Sequence, residues 1–122
     1  MPNEGRKIGD WGERQAVRFL ERQGFEIIEK NYNSTVGEID IVARKGDDIY
    51  FIEVKTRMSE EFARDESITS AKLKKFQKTV RKYCYEREVS DELGIVLAGL
   101  VVFVKKIEKT VKFRLFVINN DL

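Results

Sequence analysis

Between Ile95 and Val104 the chain runs for ten residues without a polar or charged side chain, and in a short protein such a segment has few places to go. It has about half the roughly 20 apolar residues that a helix needs to cross a bilayer. A polar break at Ser90 to Glu92 precedes it and a turn signal at Lys109-Thr110 follows, so it reads as a buried strand. In 122 residues that strand must belong to a single core, and the chain is expected to form one domain over residues 1–122. Hydrophobic residues at 42%, charged residues at 36% and a single proline suit a soluble globular domain and argue against linkers or disorder.

The other segments follow from their periodicity. Trp11, Ala16, Phe19 and Leu20 recur at helical spacing, which predicts an amphipathic helix from about Ile8 to Gln23, ended by Gly24. Phe25 to Tyr32 suits a strand, and the turn-prone Asn31 to Thr35 leads into a second strand, Val36 to Lys45. Lys45-Gly46-Asp47-Asp48 is a turn signal before a third strand, Ile49 to Arg57, so these two strands should pair antiparallel. Met58 to Glu66 is polar and expected to be a mobile loop. Leu73, Phe76, Val80, Tyr83 and Cys84 then mark the core face of a helix over about Ile68 to Arg87. After Ile95 to Val104, the alternation of Val111, Phe113, Leu115 and Val117 gives a last strand. The order is helix, three strands, helix, two strands.

Residue types narrow the chemistry. With one cysteine, Cys84, and no histidine, structural zinc sites, Cys-His nucleophile pairs and histidine acid-base catalysis are excluded. Oxygen ligands from Asp and Glu remain, and these favour the hard cations Mg2+, Mn2+ and Ca2+. The first residues lack the apolar stretch of a signal peptide, so a cytoplasmic location without membrane contact is expected.

Successive strand residues alternate between faces, so Glu53 and Lys55 point the same way while Ile52 and Val54 point the other. Taken alone, a Glu-x-Lys is an ordinary charged strand face. Two ions on a strand that also carries Phe51, Ile52 and Val54 nevertheless require partners, because burying unpaired charge is costly. Glu38 and Asp40 share a face of the preceding strand, and counting outward from the Gly46 turn brings Asp40 level with Glu53. Two carboxylates and an ammonium would then converge. Such a group suits phosphodiester hydrolysis, in which carboxylates hold Mg2+ and a lysine offsets charge on the phosphoryl group.

Gly37-Glu38-Ile39-Asp40, twelve intervening residues, and Glu53-Val54-Lys55-Thr56-Arg57 resemble the bipartite Asp and (Asp/Glu)-x-Lys signature of restriction-endonuclease-like nucleases. Gly9-Asp10-Trp11-Gly12-Glu13-Arg14-Gln15-Ala16, Gly24-Phe25, Asn31-Tyr32, and Glu66-Ser67-Ile68 followed by Lys72 extend the match. Together these residues resemble the YraN-type family, related to archaeal Holliday junction resolvases. The resemblance implies an α/β fold with a central mixed sheet flanked by helices in an αβββαβ core. It assigns metal binding to Asp40 and Glu53, with Glu13 as an additional carboxylate, and a catalytic role to Asp40, Glu53 and Lys55. Thr56 is a candidate supporting residue, and Glu38, which shares a face with Asp40, has either a supporting role in the site or a structural one. Asn33 stands where the family usually has a basic residue, Phe62-Ala63 replaces its Phe-Gly, and after Tyr83 the resemblance fades.

Net charge is only +2, yet no acid interrupts the chain from Lys72 to Lys82. Lys72, Lys74, Lys75 and Lys78, with Arg57, are the expected DNA contacts, and Lys105, Lys106, Lys109, Lys112 and Arg114 form a second basic cluster. A basic helix face is often simply solvated. No aromatic residue is plainly presented for base stacking, which favours backbone and shape recognition. The expected activity is a metal-dependent endonuclease on branched or structured DNA, with a homodimer as a candidate assembly because a junction has two strands to cut. The alternatives are a nucleic-acid-binding module of the same fold with little or no activity, and an interaction protein whose acids are ordinary salt-bridge partners.

Overall fold

A computed structural model describes residues 4–58, 68–119 and 122. The elements are α1 (Glu4–Arg22), β1 (Glu26–Asn33), β2 (Glu38–Lys45), β3 (Asp48–Met58), α2 (Ser70–Glu86), β4 (Gly94–Lys105) and β5 (Thr110–Asn119). The expected order is present, with α1 starting a turn earlier than the apolar period indicates. Of the loop expected over Met58 to Glu66, Met58 closes β3 and residues 59–67 lie outside the described residues, Phe62-Ala63 among them.

Helix ends follow local chemistry. Gly24 at φ 91° ends α1: Gly24 N–H donates to Glu21 O at 3.0 Å and Phe25 N–H to Leu20 O at 2.9 Å, while Phe25 itself enters the core. A left-handed residue at that position costs glycine little and other residues more. At the start of α2, the Thr69 hydroxyl accepts from Lys72 N–H at 3.2 Å, satisfying one amide that has no partner within the helix.

The five strands lie in chain order, β1-β2-β3-β4-β5. All neighbours are antiparallel except β3 and β4, which run parallel from Asp48↔Gly94 to Met58↔Val104. A parallel pair needs a crossover, and α2 is that crossover. Ala16 and Leu20 of α1 pack with Ile41, Ile52, Leu100 and Val102 on one sheet face. Phe76, Val80 and Tyr83 of α2 pack with Val42, Phe51 and Leu97 on the other. The inner strand β4 is therefore covered on both sides, which is why its sequence does not alternate. The result is an α/β mixed sheet flanked by helices, consistent with a restriction-endonuclease-like αβββαβ core to which β5 adds an edge. Among the described residues no helix is long and apolar enough to cross a membrane.

The outer strand β1 is tied to the end of α2. Arg87 makes a two-pronged ion pair with Glu29, Nε to Oε1 at 3.0 Å and Nη2 to Oε2 at 2.8 Å, and lies 5.3 Å from the ring centres of both Tyr32 and Tyr83. The Tyr83 hydroxyl donates to Glu29 at 3.1 Å, and the Tyr32 hydroxyl donates to Glu86. Cys84 is half-buried against this core, where burial pushes its thiol up, so it is less nucleophilic than an exposed thiol.

Candidate active site

The β2–β3 register runs from Lys45↔Asp48 to Ile41↔Ile52, and Asp40 and Glu53 are the next residues outward from that last pair. The backbone pairing ends there. Val54 N–H donates instead to Asp40 Oδ2, at 2.7 Å. A carboxylate has taken the place of a ladder carbonyl, and the strands part around it. The opening is a cleft of about 270 Å³ that Glu38, Asp40 and Glu53 line from the sheet and Lys72, Lys75 and Phe76 line from α2. Lys55, two residues beyond Glu53 on the same face, lines with Glu53 a narrower recess that Ile68, Gly99 and Phe116 complete.

Asp40 also opens to the other side of the sheet, where it lines a second cleft with Asp10, Glu13, Val54 and Thr56. Here α1 comes very close to β3: a Cβ at Gly12 would collide with the Thr56 hydroxyl. The missing side chain lets the helix settle deeply enough to aim Glu13 toward Asp40. Asn31 of β1 lines the same surface as Glu13 and favours its ionised form. It does so from a left-handed conformation, φ 56°, which asparagine tolerates better than most residues.

Negative charge is concentrated at this point. Burial raises the Asp40 carboxyl, the Val54 amide counteracts it, and Glu53 and Glu38 raise it further. Burial first, then the charges of Asp40 and Asp10, push Glu13 up to about 7 against the opposing Asn31 hydrogen bond and Lys30 charge. Negative charge is thus crowded around Asp40 and Glu13.

The donors gathered here are carboxylate oxygens. Among the described residues no group of three acidic, His or Cys side chains that could hold a metal ion by itself is present. Magnesium is commonly held by one or two carboxylates while water and substrate phosphate supply the rest. Asp40 and Glu53, all-oxygen and facing one cleft, match that pattern; Glu38 lies beside them, and Glu13 approaches Asp40 from behind.

The expected site residues thus divide by location. Asp40, Glu53, Glu38, Lys72 and Lys75 come together in the main cleft, and Lys55 joins Glu53 next to it. Glu13 and Thr56 meet Asp40 on the opposite side. Lys74 and Lys78 are on α2 without lining the cleft. Arg57, further along β3, donates from Nη1 to Thr56 O at 3.4 Å. Asp10, Lys30 and Asn31, which line the α1-side surface with Glu13, were not singled out as site residues by sequence reasoning. The polar Lys30-Asn31 pair interrupting an otherwise strand-like segment is the signal that marks them.

The raised Glu13 pKa has a consequence for stability. In the unfolded chain this carboxyl ionises near 4.5, and in the folded protein near 7. Its contribution is therefore fully present below pH 4.5 and is lost as pH rises through 7. Glu13 is half-buried, so solvent screening reduces the effect to about 1 kcal/mol. In EDTA at pH 8, Glu13→Gln is expected to raise the melting temperature by about 4 °C. The gain should shrink toward zero near pH 4.5, which a pH series of thermal melts will measure.

Residues 12–104 match the model of the uncharacterised protein family UPF0102. A UPF0102 protein of Clostridium perfringens is 40% identical over 90 residues, covering 73% of this chain and 74% of that one. One from Caldicellulosiruptor saccharolyticus is 42% identical over 84 residues, 68% of this chain and 70% of its own. One from Campylobacter jejuni is 39% identical over 89 residues, 73% and 79%. The matched span runs from Gly12 in α1 to Val104 in β4; the chain belongs to the uncharacterised protein family UPF0102, the YraN-type family.

Proposed function

We propose that this protein is a divalent-metal-dependent endonuclease that hydrolyses phosphodiester bonds in branched or structured DNA. The observation that carries the reading is the convergence on one cleft of Asp40 and Glu53 with two lysines of α2, Lys72 and Lys75. Carboxylates of this kind hold Mg2+ or Mn2+, and the chemistry gained is polarisation of the phosphoryl oxygen and a lower pKa for the attacking water. The chain's own groups do the rest. Asp40 is held in place by the Val54 amide, so its geometry is set before substrate arrives. The Lys55 ammonium, on the same strand face as Glu53, offsets negative charge that grows on the phosphoryl group in the transition state. Lys72 and Lys75 hold phosphates on either side of the one being cut.

The test is cleavage of a synthetic four-way junction, a flap and a plain duplex in Mg2+ or Mn2+ against EDTA. Metal-dependent cutting of the branched substrates supports the reading. Tight junction binding without cutting in either metal favours the nucleic-acid-binding module instead. The basic residues have a separate signature. Replacing Lys72 and Lys75 together by Met is expected to weaken binding to every DNA tested and to lower the slope of log affinity against log salt by about 2, one for each phosphate that the variant no longer neutralises. An unchanged slope would place the DNA elsewhere on the protein.

A further inference from the structure

On the α2 side of the sheet, strand register sets out two rows of side chains. Glu53 of β3 stands level with Gly99 of β4 and Phe116 of β5, and Lys55 stands level with Val101 and Arg114. Partners directly opposite in a sheet share a face. Phe116 and Arg114 therefore lie beside Glu53 and Lys55 across the width of one strand, about 10 Å from Cα to Cα. Gly99 makes this arrangement possible. A Cβ there would strike the Phe116 ring, so the ring lies over the bare backbone and forms part of the wall of a recess of only about 10 Å³ shared with Glu53 and Lys55, which leaves the solvent side of the ring as the surface open to a ligand. The Arg114 guanidinium is 5.6 Å from the centre of that ring.

A half-buried ring, an exposed arginine against it and a neighbouring lysine are more than core packing requires. Arg114 has no need to sit on Phe116 for the fold, since β5 is already anchored on the α1 side by Val111, Phe113 and Leu115. Aromatic rings with adjacent cations are the means by which proteins hold unstacked nucleotides.

We infer that Phe116 and Arg114 form a subsite for an unpaired nucleotide next to the scissile phosphate, with the base or sugar against the ring and the phosphate on the guanidinium. The inference rests on the DNA-cleaving reading and deepens it. A base inside a duplex cannot reach the ring without leaving its stack, whereas a nucleotide at a branch point has already done so. The subsite makes branched DNA the preferred substrate.

The test compares affinity in EDTA for a flap DNA with an unpaired nucleotide at the branch and for a matched duplex. Phe116→Leu is expected to reduce the preference for the flap by about tenfold, and Phe116→Tyr to retain it. Arg114→Met should weaken both DNAs together. A 5-iodouracil at the unpaired position should photocrosslink wild-type protein within residues 110–119, a readout that needs no variant to fold. Wild-type protein that binds and cuts the flap, with unchanged preference in Phe116→Leu or crosslinks confined to other peptides, overturns the subsite alone. Loss of preference in Phe116→Leu without metal-dependent cutting supports the subsite and overturns the nuclease. Wild-type protein that binds neither DNA overturns both.

Discussion

Asp40→Asn is expected to abolish metal-dependent DNA cleavage, by about a thousandfold or more, while leaving the fold and junction binding in place. The substitution is chosen because Asp40 has two duties that separate cleanly. One is structural: Oδ2 accepts the Val54 amide at 2.7 Å and closes the end of the β2–β3 ladder. An asparagine carbonyl accepts the same hydrogen bond. The other is electrostatic. Asp40 brings negative charge into a site where Glu53 and Glu38 already oppose its ionisation, an arrangement that a bound cation would relieve. Asp40→Asn removes the charge and keeps the bond, so it should melt no lower than wild type in EDTA. The stabilisation that Mn2+ gives the wild type should disappear in the variant. Asp40→Ala confounds the two duties, since it also leaves the Val54 amide without its partner. Cleavage undiminished in Asp40→Asn would remove Asp40 from the chemistry altogether.

Phe51→Ala is expected to have the largest effect on stability, a loss of about 3–5 kcal/mol. Phe51 is fully buried at the middle of β3 and meets the Tyr83 ring edge-on, with centroids 5.5 Å apart. Removing it opens a cavity where the sheet meets α2 and ends the packing of one ring on the other. Domains of this size typically hold about 5–15 kcal/mol of net stability, so the variant should be partly unfolded near its working temperature. Urea denaturation followed by circular dichroism will measure this as a lower midpoint at unchanged slope. Val117→Ala, at a side chain 56% exposed on β5, serves as the control and should cost less than about 0.5 kcal/mol. A small loss at Phe51 would mean that α2 does not pack on this face as described.

These expectations rest on features of unequal visibility in the sequence. The element order was legible because each signal is local. Period-2 alternation, the Gly24 helix end and the Gly46 turn depend on residues within a few positions of one another. The same is true of the Asp40 and Glu53 pairing, since both strands of a tight hairpin are fixed by counting from one turn. The ten-residue apolar run from Ile95 to Val104 was recognisable as buried strand, and residues 96–103 are all buried. Its neighbours were not legible. That β4 lies parallel to β3, between it and β5, depends on the α2 crossover, which no local pattern encodes.

What the sequence determined by itself, then, is a set of elements and one local pairing: two helices, five strands, and Asp40 opposite the Glu53-Val54-Lys55 segment. The absence of histidine and of a second cysteine further limited any metal site to oxygen ligands. Tertiary structure alone decided how distant pieces meet. Gly12 admits α1 against Thr56 and so brings Glu13 to the back of Asp40. Lys72 and Lys75 face the cleft, whereas Lys74 and Lys78 on the same helix do not line it. Gly99 lets Phe116 lie beside Glu53 from a strand more than sixty residues away in the chain. The physical reason is the same in each case: a turn or a periodicity restricts only nearby residues, but the close approach of two surfaces depends on side chains that become neighbours once the sheet has formed.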